Sequence, residues 1–84
     1  MAYSLKFNNQ AFNALEKIDD PSYSKIKTAL QNLTINPRPH GYKKLIDRKG
    51  YRIRVGNYRI IYDIIDEILI VEVITIGHRK DVYG

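Results

Sequence analysis

Eighty-four residues, 44% of them apolar, make one small domain spanning residues 1–84, with a thin core and no room for a second domain of ordinary size. The absence of cysteine excludes disulfides, zinc–thiolate sites and thiol catalysis, and no apolar run approaches the roughly 20 residues that span a bilayer. Lys and Arg outnumber Asp and Glu by 14 to 9, and residues 37–62 alone hold eight basic groups against one acidic, the footprint of a surface that meets a polyanion.

In chain order, Ala2 to Phe7 alternates, with Tyr3, Leu5 and Phe7 on one face and Ser4 and Lys6 on the other, which predicts a half-buried edge strand. Asn8 and Asn9 are helix caps for a segment carrying Ala11, Phe12, Leu15 and Ile18 at helical spacing. Asp20 suits the N-cap of a second helix and Pro21 its first position; Tyr23, Ile26, Leu30 and Leu33 form its apolar stripe, and Asn36-Pro37 stops it. The loop from Asn36 to Gly41 divides a helical half from a strand half, and its His40 reads as structural or solvent-exposed. Strands are expected at Tyr42–Leu45, Tyr51–Val55, Tyr58–Ile65 and Ile68–Ile76, the last central to the sheet. Turns are expected at Asp47–Gly50, Gly56-Asn57 and Asp66-Glu67. The order β-α-α-β-β-β-β is α+β: an N-terminal strand, a two-helix hairpin, then an antiparallel sheet of three to four strands with the helices on one face.

If Gly56-Asn57 is a two-residue turn, Arg54 faces Arg59, Ile53 faces Ile60, Arg52 faces Ile61 and Tyr51 faces Tyr62. Tyr51, Ile53, Val55, Tyr58, Ile60, Tyr62 and Ile64 then share the core face. Arg52, Arg54 and Arg59 share the other. Like charges directly opposite destabilise a ladder by about 0.2–1 kcal/mol, so repetition of arginine on adjacent strands points to an anion site. A second tight turn at Asp66-Glu67 would set Arg59 against Ile74 and Ile61 against Glu72, giving the cluster one carboxylate neighbour. After Gly77, which allows a sharp departure from the sheet, come His78, Arg79 and Tyr83: together with the arginine face they form a set suited to cleaving a phosphodiester. Two distant histidines and scattered carboxylates offer no metal site, and no cofactor is implied.

These segments resemble the RelE family of bacterial toxins, within the RelE/ParE superfamily. The resemblance runs the length of the chain: Met1-Ala2-Tyr3, Lys44-Leu45, Tyr51-Arg52-Ile53-Arg54-Val55, Tyr58-Arg59-Ile60-Ile61-Tyr62, Ile64-Ile65-Asp66-Glu67, Gly77-His78-Arg79 and Val82-Tyr83. It implies a cytoplasmic endonuclease that cuts mRNA in the ribosomal A site and is neutralised by a RelB-like antitoxin, with the ribosome and mRNA as further partners and no membrane. It also implies catalytic roles for Arg52, Arg54, Arg59, Arg79 and Tyr83. Lys43, Lys44 and Arg48 join Arg52 and Arg54 as RNA-binding candidates. Where the family often has Lys, this chain has Arg52 and Arg54, which keep the charge but do not give up a proton, so both read as electrostatic. For the base that removes the 2′-hydroxyl proton, residue chemistry alone favours His78, whose ordinary pKa is about 6.5, whereas the resemblance favours Tyr83. The competing functions are a ParE-like toxin that poisons DNA gyrase without catalysis, and a plain nucleic-acid-binding module.

Overall fold

The computed structural model describes residues 2–78. They form β1 (Ser4–Phe7), α1 (Asn9–Glu16), α2 (Ser22–Ile35), β2 (Lys43–Lys44), β3 (Tyr51–Val55), β4 (Tyr58–Ile65), a 3-10 turn (Asp66–Ile68) and β5 (Ile70–His78). Arg79 and Tyr83 lie outside the described residues.

Local chemistry sets the helix ends. Asn8 is the N-cap of α1, its Oδ1 accepting the Ala11 N–H at 3.0 Å. At α2 the sequence places the start one residue early. Pro21 occupies the N-cap position, and Asp20 before it still does the capping, accepting the Ser24 N–H at 2.9 Å and the Ser24 hydroxyl at 2.6 Å. The hydroxyl bond holds the Asp20 carboxyl below its ordinary pKa. The α2 stripe Ile26, Leu30 and Leu33 is buried as expected. In α1 the buried pair is Ala11 and Leu15, one turn apart. Phe12 was expected on that stripe, but it points about 100° away from Ala11 and is 51% exposed. It meets Phe7 edge-on, with ring centroids 6.4 Å apart.

The sheet has five strands in the order β1-β5-β4-β3-β2. It is mixed rather than purely antiparallel, because β1 runs parallel to β5, with Leu5 beside Val71 and Phe7 beside Val73. A parallel partner distant in sequence leaves no turn signal to read. β4 takes the middle of the sheet and β5 lies between it and the edge strand β1. The β3–β4 hairpin has the register that Gly56-Asn57 dictates: Arg54 opposite Arg59, Ile53 opposite Ile60, Arg52 opposite Ile61 and Tyr51 opposite Tyr62.

The β4–β5 hairpin departs from the predicted register. Arg59 faces Gly77, not Ile74, and Ile61 faces Thr75, not Glu72. One cause is the turn, which is longer than Asp66-Glu67: a 3-10 turn is followed by Leu69 in the left-handed conformation at φ 55°. The other is an irregularity opposite Ile61 and Tyr62, whose partners are Thr75 and Val73, leaving Ile74 as an extra residue in β5. This bulge lets Val73 and Ile76, three residues apart, both reach the core.

One face of the sheet packs on the helices. Ile53, Ile60, Tyr62, Ile64, Val71, Val73 and Ile76 form a single cluster with Ala11, Leu15, Ile26, Leu30 and Leu33. Each fully buried aliphatic side chain contributes about 1.5–3 kcal/mol. Tyr62 ties the core to the loop after α2, its buried hydroxyl donating to the Pro37 carbonyl at 2.7 Å. Burial pushes that phenol up to about 12. Arg38 in the same loop reaches Asp66 at 3.0 Å, and Asp66 also accepts the Tyr3 hydroxyl at 2.5 Å, which links β1, the loop and the β4–β5 turn. Those two contacts, the Tyr3 bond first, hold the Asp66 carboxyl below its ordinary value. Among the described residues, no helix is long and apolar enough to cross a membrane.

Candidate nucleic-acid interface

Neither described helix packs on the second face of the sheet, where Arg59, Ile61 and Asp63 of β4 are nonetheless buried. Cross-strand pairing puts Lys43 of β2 beside Arg52 of β3, and Arg54 of β3 beside Arg59 of β4, all four on this outer face. The arginines are not equivalent. Arg54 is exposed and Arg52 half-buried, whereas Arg59 on the middle strand is only 8% exposed. The residue opposite Arg59 on its other side is Gly77, which puts no side chain beside the guanidinium on that flank. Gly77 is still paired in β5; it does not turn the chain out of the sheet.

Glu72, expected among the arginines, stands opposite Asp63 and beside Lys6 of β1. The longer turn and the bulge together carry it away from Arg59. The outer face thus divides into a basic end, with Lys43, Arg52, Arg54 and Arg59, and an end holding Asp63 and Glu72. Asp63 is 8% exposed, accepts the Ile64 N–H at 2.8 Å and lies 3.4 Å from the Lys49 ammonium.

Lys49 belongs to the loop between β2 and β3, which is drawn in against the sheet. Leu45 donates to the Gly50 carbonyl at 3.0 Å. Gly50 has φ +124°, and a Cβ there would sit 3.1 Å from the Tyr62 carbonyl oxygen, so only glycine fits without strain. Arg48 is exposed on this loop. Lys44 is exposed too, but it pairs with Tyr51 and so lies on the helix side of the sheet, apart from Lys43.

His78 likewise falls on the other side. It pairs with Tyr58, and the two rings meet edge-on with centroids 5.6 Å apart. Its ring lines a cleft of about 540 Å³ between α1 and the end of β5, with Gln10, Asn13 and Lys17 on the helix wall. The sequence sets His78 beside Arg79, but strand alternation turns its ring away from the arginine face. His40 shows the reverse. It is exposed, as expected, yet it lines a hollow of about 370 Å³ with Lys43, Arg52 and Arg54. No sequence pattern marks that neighbourhood, because a loop rather than a strand brings His40 there. Among the described residues, no group of three His, Asp or Glu side chains is placed to hold a metal ion.

Chemically, the basic end binds oxyanions. Guanidinium forks match the non-bridging oxygens of a phosphate, and charge-assisted bonds of this kind are about twice as strong as neutral ones. A guanidinium held by a central strand loses little freedom when it binds, so its field is already in place for charge that develops during a reaction.

This architecture, two helices on one face of a five-stranded sheet and a guanidinium cluster on the other, is that of a known class of small toxins. Residues 5–83 match the family model described as ParE toxin of type II toxin-antitoxin system, parDE. The chain is 31% identical over 88 residues to a RelE-like toxin protein of Escherichia coli, covering 100% of this chain and 93% of the relative. It is 30% identical over 82 residues to the mRNA interferase toxin RelE of Escherichia coli K12, covering 95% and 86%. Its backbone superposes with a TM-score of 0.83 on a chain from the crystal structure of the archaeal RelE-RelB complex of Pyrococcus horikoshii OT3, at 25% identity, covering 94% of this chain and 97% of the other. The chain therefore belongs to the RelE/ParE family of type II toxin–antitoxin toxins, on its RelE-like side.

Proposed function

We propose that this toxin is an endoribonuclease that cuts mRNA in the ribosomal A site and so stops translation in the cytoplasm. The observation that carries the reading is the pairing of exposed Arg54 with buried Arg59 on a sheet face that neither described helix covers. Like charges directly opposite destabilise a ladder, and binding phosphate gives such a pair a use. The relative named mRNA interferase toxin RelE supports the same activity.

The reaction is attack of the ribose 2′-hydroxyl on the adjacent phosphorus. The 2′ proton goes to a base, the phosphorane carries the developing charge, and the P–O5′ bond breaks as the 5′-oxygen takes a proton from water. The products are a 2′,3′-cyclic phosphate and a 5′-hydroxyl, and no metal is needed. Arg54 and Arg59 bind the non-bridging oxygens, with Arg52 adding to the field. Lys43 and Arg48 hold the flanking backbone, with Lys44 at the edge. Arg79 serves the leaving side and Tyr83 is the base. A free phenol is about 0.1% ionised at neutral pH, and nearby guanidiniums favour the phenolate. The orientation of His78, toward Tyr58 and α1, argues against it as the base.

A RelB-like antitoxin neutralises the toxin, a reading supported by the RelE-RelB complex in which the archaeal relative was solved. An acidic or amphipathic segment would associate rapidly with the basic end. The family model's description as a ParE toxin favours the second reading, a gyrase poison. Primer extension on translating ribosomes separates the two. The endonuclease gives a cut inside the A-site codon that vanishes with Arg79→Ala. A gyrase poison gives no cut, and inhibits DNA supercoiling instead.

A further inference from the structure

Two features of the basic end have no part in the reaction above: His40, and Ile46 in the loop after β2. The strand β2 is only two residues long, so the edge of β3 away from β4 has no partner strand along Ile53 to Val55 among the described residues. That gap opens the hollow of about 370 Å³, whose lining joins His40 and Ile53 to Lys43, Arg52 and Arg54. On the other side of Lys43 and Arg52 lies a second hollow of about 430 Å³, lined also by Lys44, Leu45, Ile46 and one carboxylate, Asp47. Lys43 and Arg52 line both. Ile46 is 102% exposed.

We infer that this rim is a track for single-stranded RNA, with one phosphate held between Lys43 and Arg52 and one base seated in each flanking hollow. The inference rests on the endoribonuclease reading and adds to it the part of the surface that selects sequence. A lone exposed isoleucine is ordinary on a protein surface. Here, however, it borders a hollow whose other members are mostly cationic, the combination that single-stranded nucleic acid requires: charge for the backbone and apolar surface for base faces. Two hollows sharing one pair of cations match the alternation of phosphate and base along a strand. The two should act differently. Leu45 and Ile46 offer only apolar contact, which any base accepts. His40 offers a ring face and two ring nitrogens that can meet a base edge, so its hollow discriminates among bases.

The test is cleavage of an mRNA with a randomised codon on translating ribosomes, read by sequencing the cut ends, for the wild type, His40→Ala, His40→Phe and Ile46→Ser. Both positions are exposed, and unchanged melting temperatures check that the variants fold. His40→Ala should flatten the nucleotide preference at one codon-proximal position and slow cleavage of the best sequence about 5-fold or more, the loss expected when a stacked base loses its partner. His40→Phe should restore the rate but not the preference. Ile46→Ser should slow all sequences by a similar factor and leave the preference intact. Wild-type cleavage with rates and preferences unchanged in His40→Ala and Ile46→Ser overturns the track and leaves the endoribonuclease reading standing. A wild type that makes no cut on ribosomes overturns that reading, and the track with it.

Discussion

Arg54 faces Arg59 across the hairpin, and this pair sets function against stability in a way that one position can test. Arg54→Thr removes one charge and keeps a residue that favours strands. Arg54→Glu puts a carboxylate opposite the guanidinium. A like-charge cross-strand pair costs about 0.2–1 kcal/mol and an opposite pair returns about as much, so the glutamate variant gains roughly 0.4–2 kcal/mol over the wild type. For a domain of this size that is a rise in melting temperature of about 2–16 °C, with the threonine variant between the two. Because Arg54 is exposed, the gain should shrink in 1 M salt, where the screening length falls to about 3 Å. Activity should move the opposite way: losing one charge-assisted contact to the phosphate lowers kcat/KM about 10-fold or more, and Arg54→Glu, which repels phosphate, should do worse than Arg54→Thr. The assays are calorimetry at low and high salt and primer extension on ribosomes. A glutamate variant that melts at or below the wild type in low salt refutes the electrostatic account of the pair. One that still cuts refutes the placement of phosphate at Arg54.

Gly50→Ala should cost about 1–3 kcal/mol in thermal unfolding, since φ of +124° and a Tyr62 carbonyl 3.1 Å from the new Cβ both oppose it. Tyr62→Phe should cost about 1–3 kcal/mol by leaving the buried Pro37 carbonyl without its 2.7 Å donor. In the wild type, phenol absorbance should show one tyrosine titrating toward about 12 rather than the ordinary 10.0. Because its folded pKa is raised, its contribution to stability is complete below pH 10 and is lost as pH climbs toward 12, a loss absent from Tyr62→Phe. Tyr83→Phe should lower turnover by about 10²–10⁴-fold with ribosome affinity little changed, and His78→Ala should cost less; the reverse order in single-turnover cleavage would move the base role to His78.

What the sequence discloses of the fold depends on whether the deciding interaction is local. Gly56-Asn57 sets a two-residue turn, and from it every pair of the β3–β4 hairpin follows by counting. Asn8 and Asp20 announce helix starts because a short polar side chain can satisfy a helix's first amides. The β4–β5 register escapes the same counting for two reasons. Leu69 adopts a left-handed conformation that leucine seldom takes, so nothing marks the turn as long. The bulge at Ile74 is driven by the core, which gains Ile76 beside Val73, and not by a residue that announces it. The parallel pairing of β1 with β5 is settled only when the helices have carried the chain across the sheet.

The candidate site follows the same division, and this bears on how it works. Arg52, Arg54 and Arg59 are legible as one cluster because all three sit on the hairpin whose register is local. What is not legible is that Arg59 is buried and Arg54 exposed, since that depends on which strand lies at the middle of the sheet. The difference assigns them separate tasks. A guanidinium on the central strand is positioned before substrate arrives and suits charge that appears only during the reaction. An exposed one on β3 suits capture of phosphate from water. The last described residue of β5, His78, pairs with Tyr58 and directs its ring to the helix side. The bulge matters here as well. Without the extra residue at Ile74, the alternation after it would be inverted and His78 would face the arginines. One residue inserted for packing therefore takes His78 off the face that the arginines hold, and the imidazole away from any phosphate bound there.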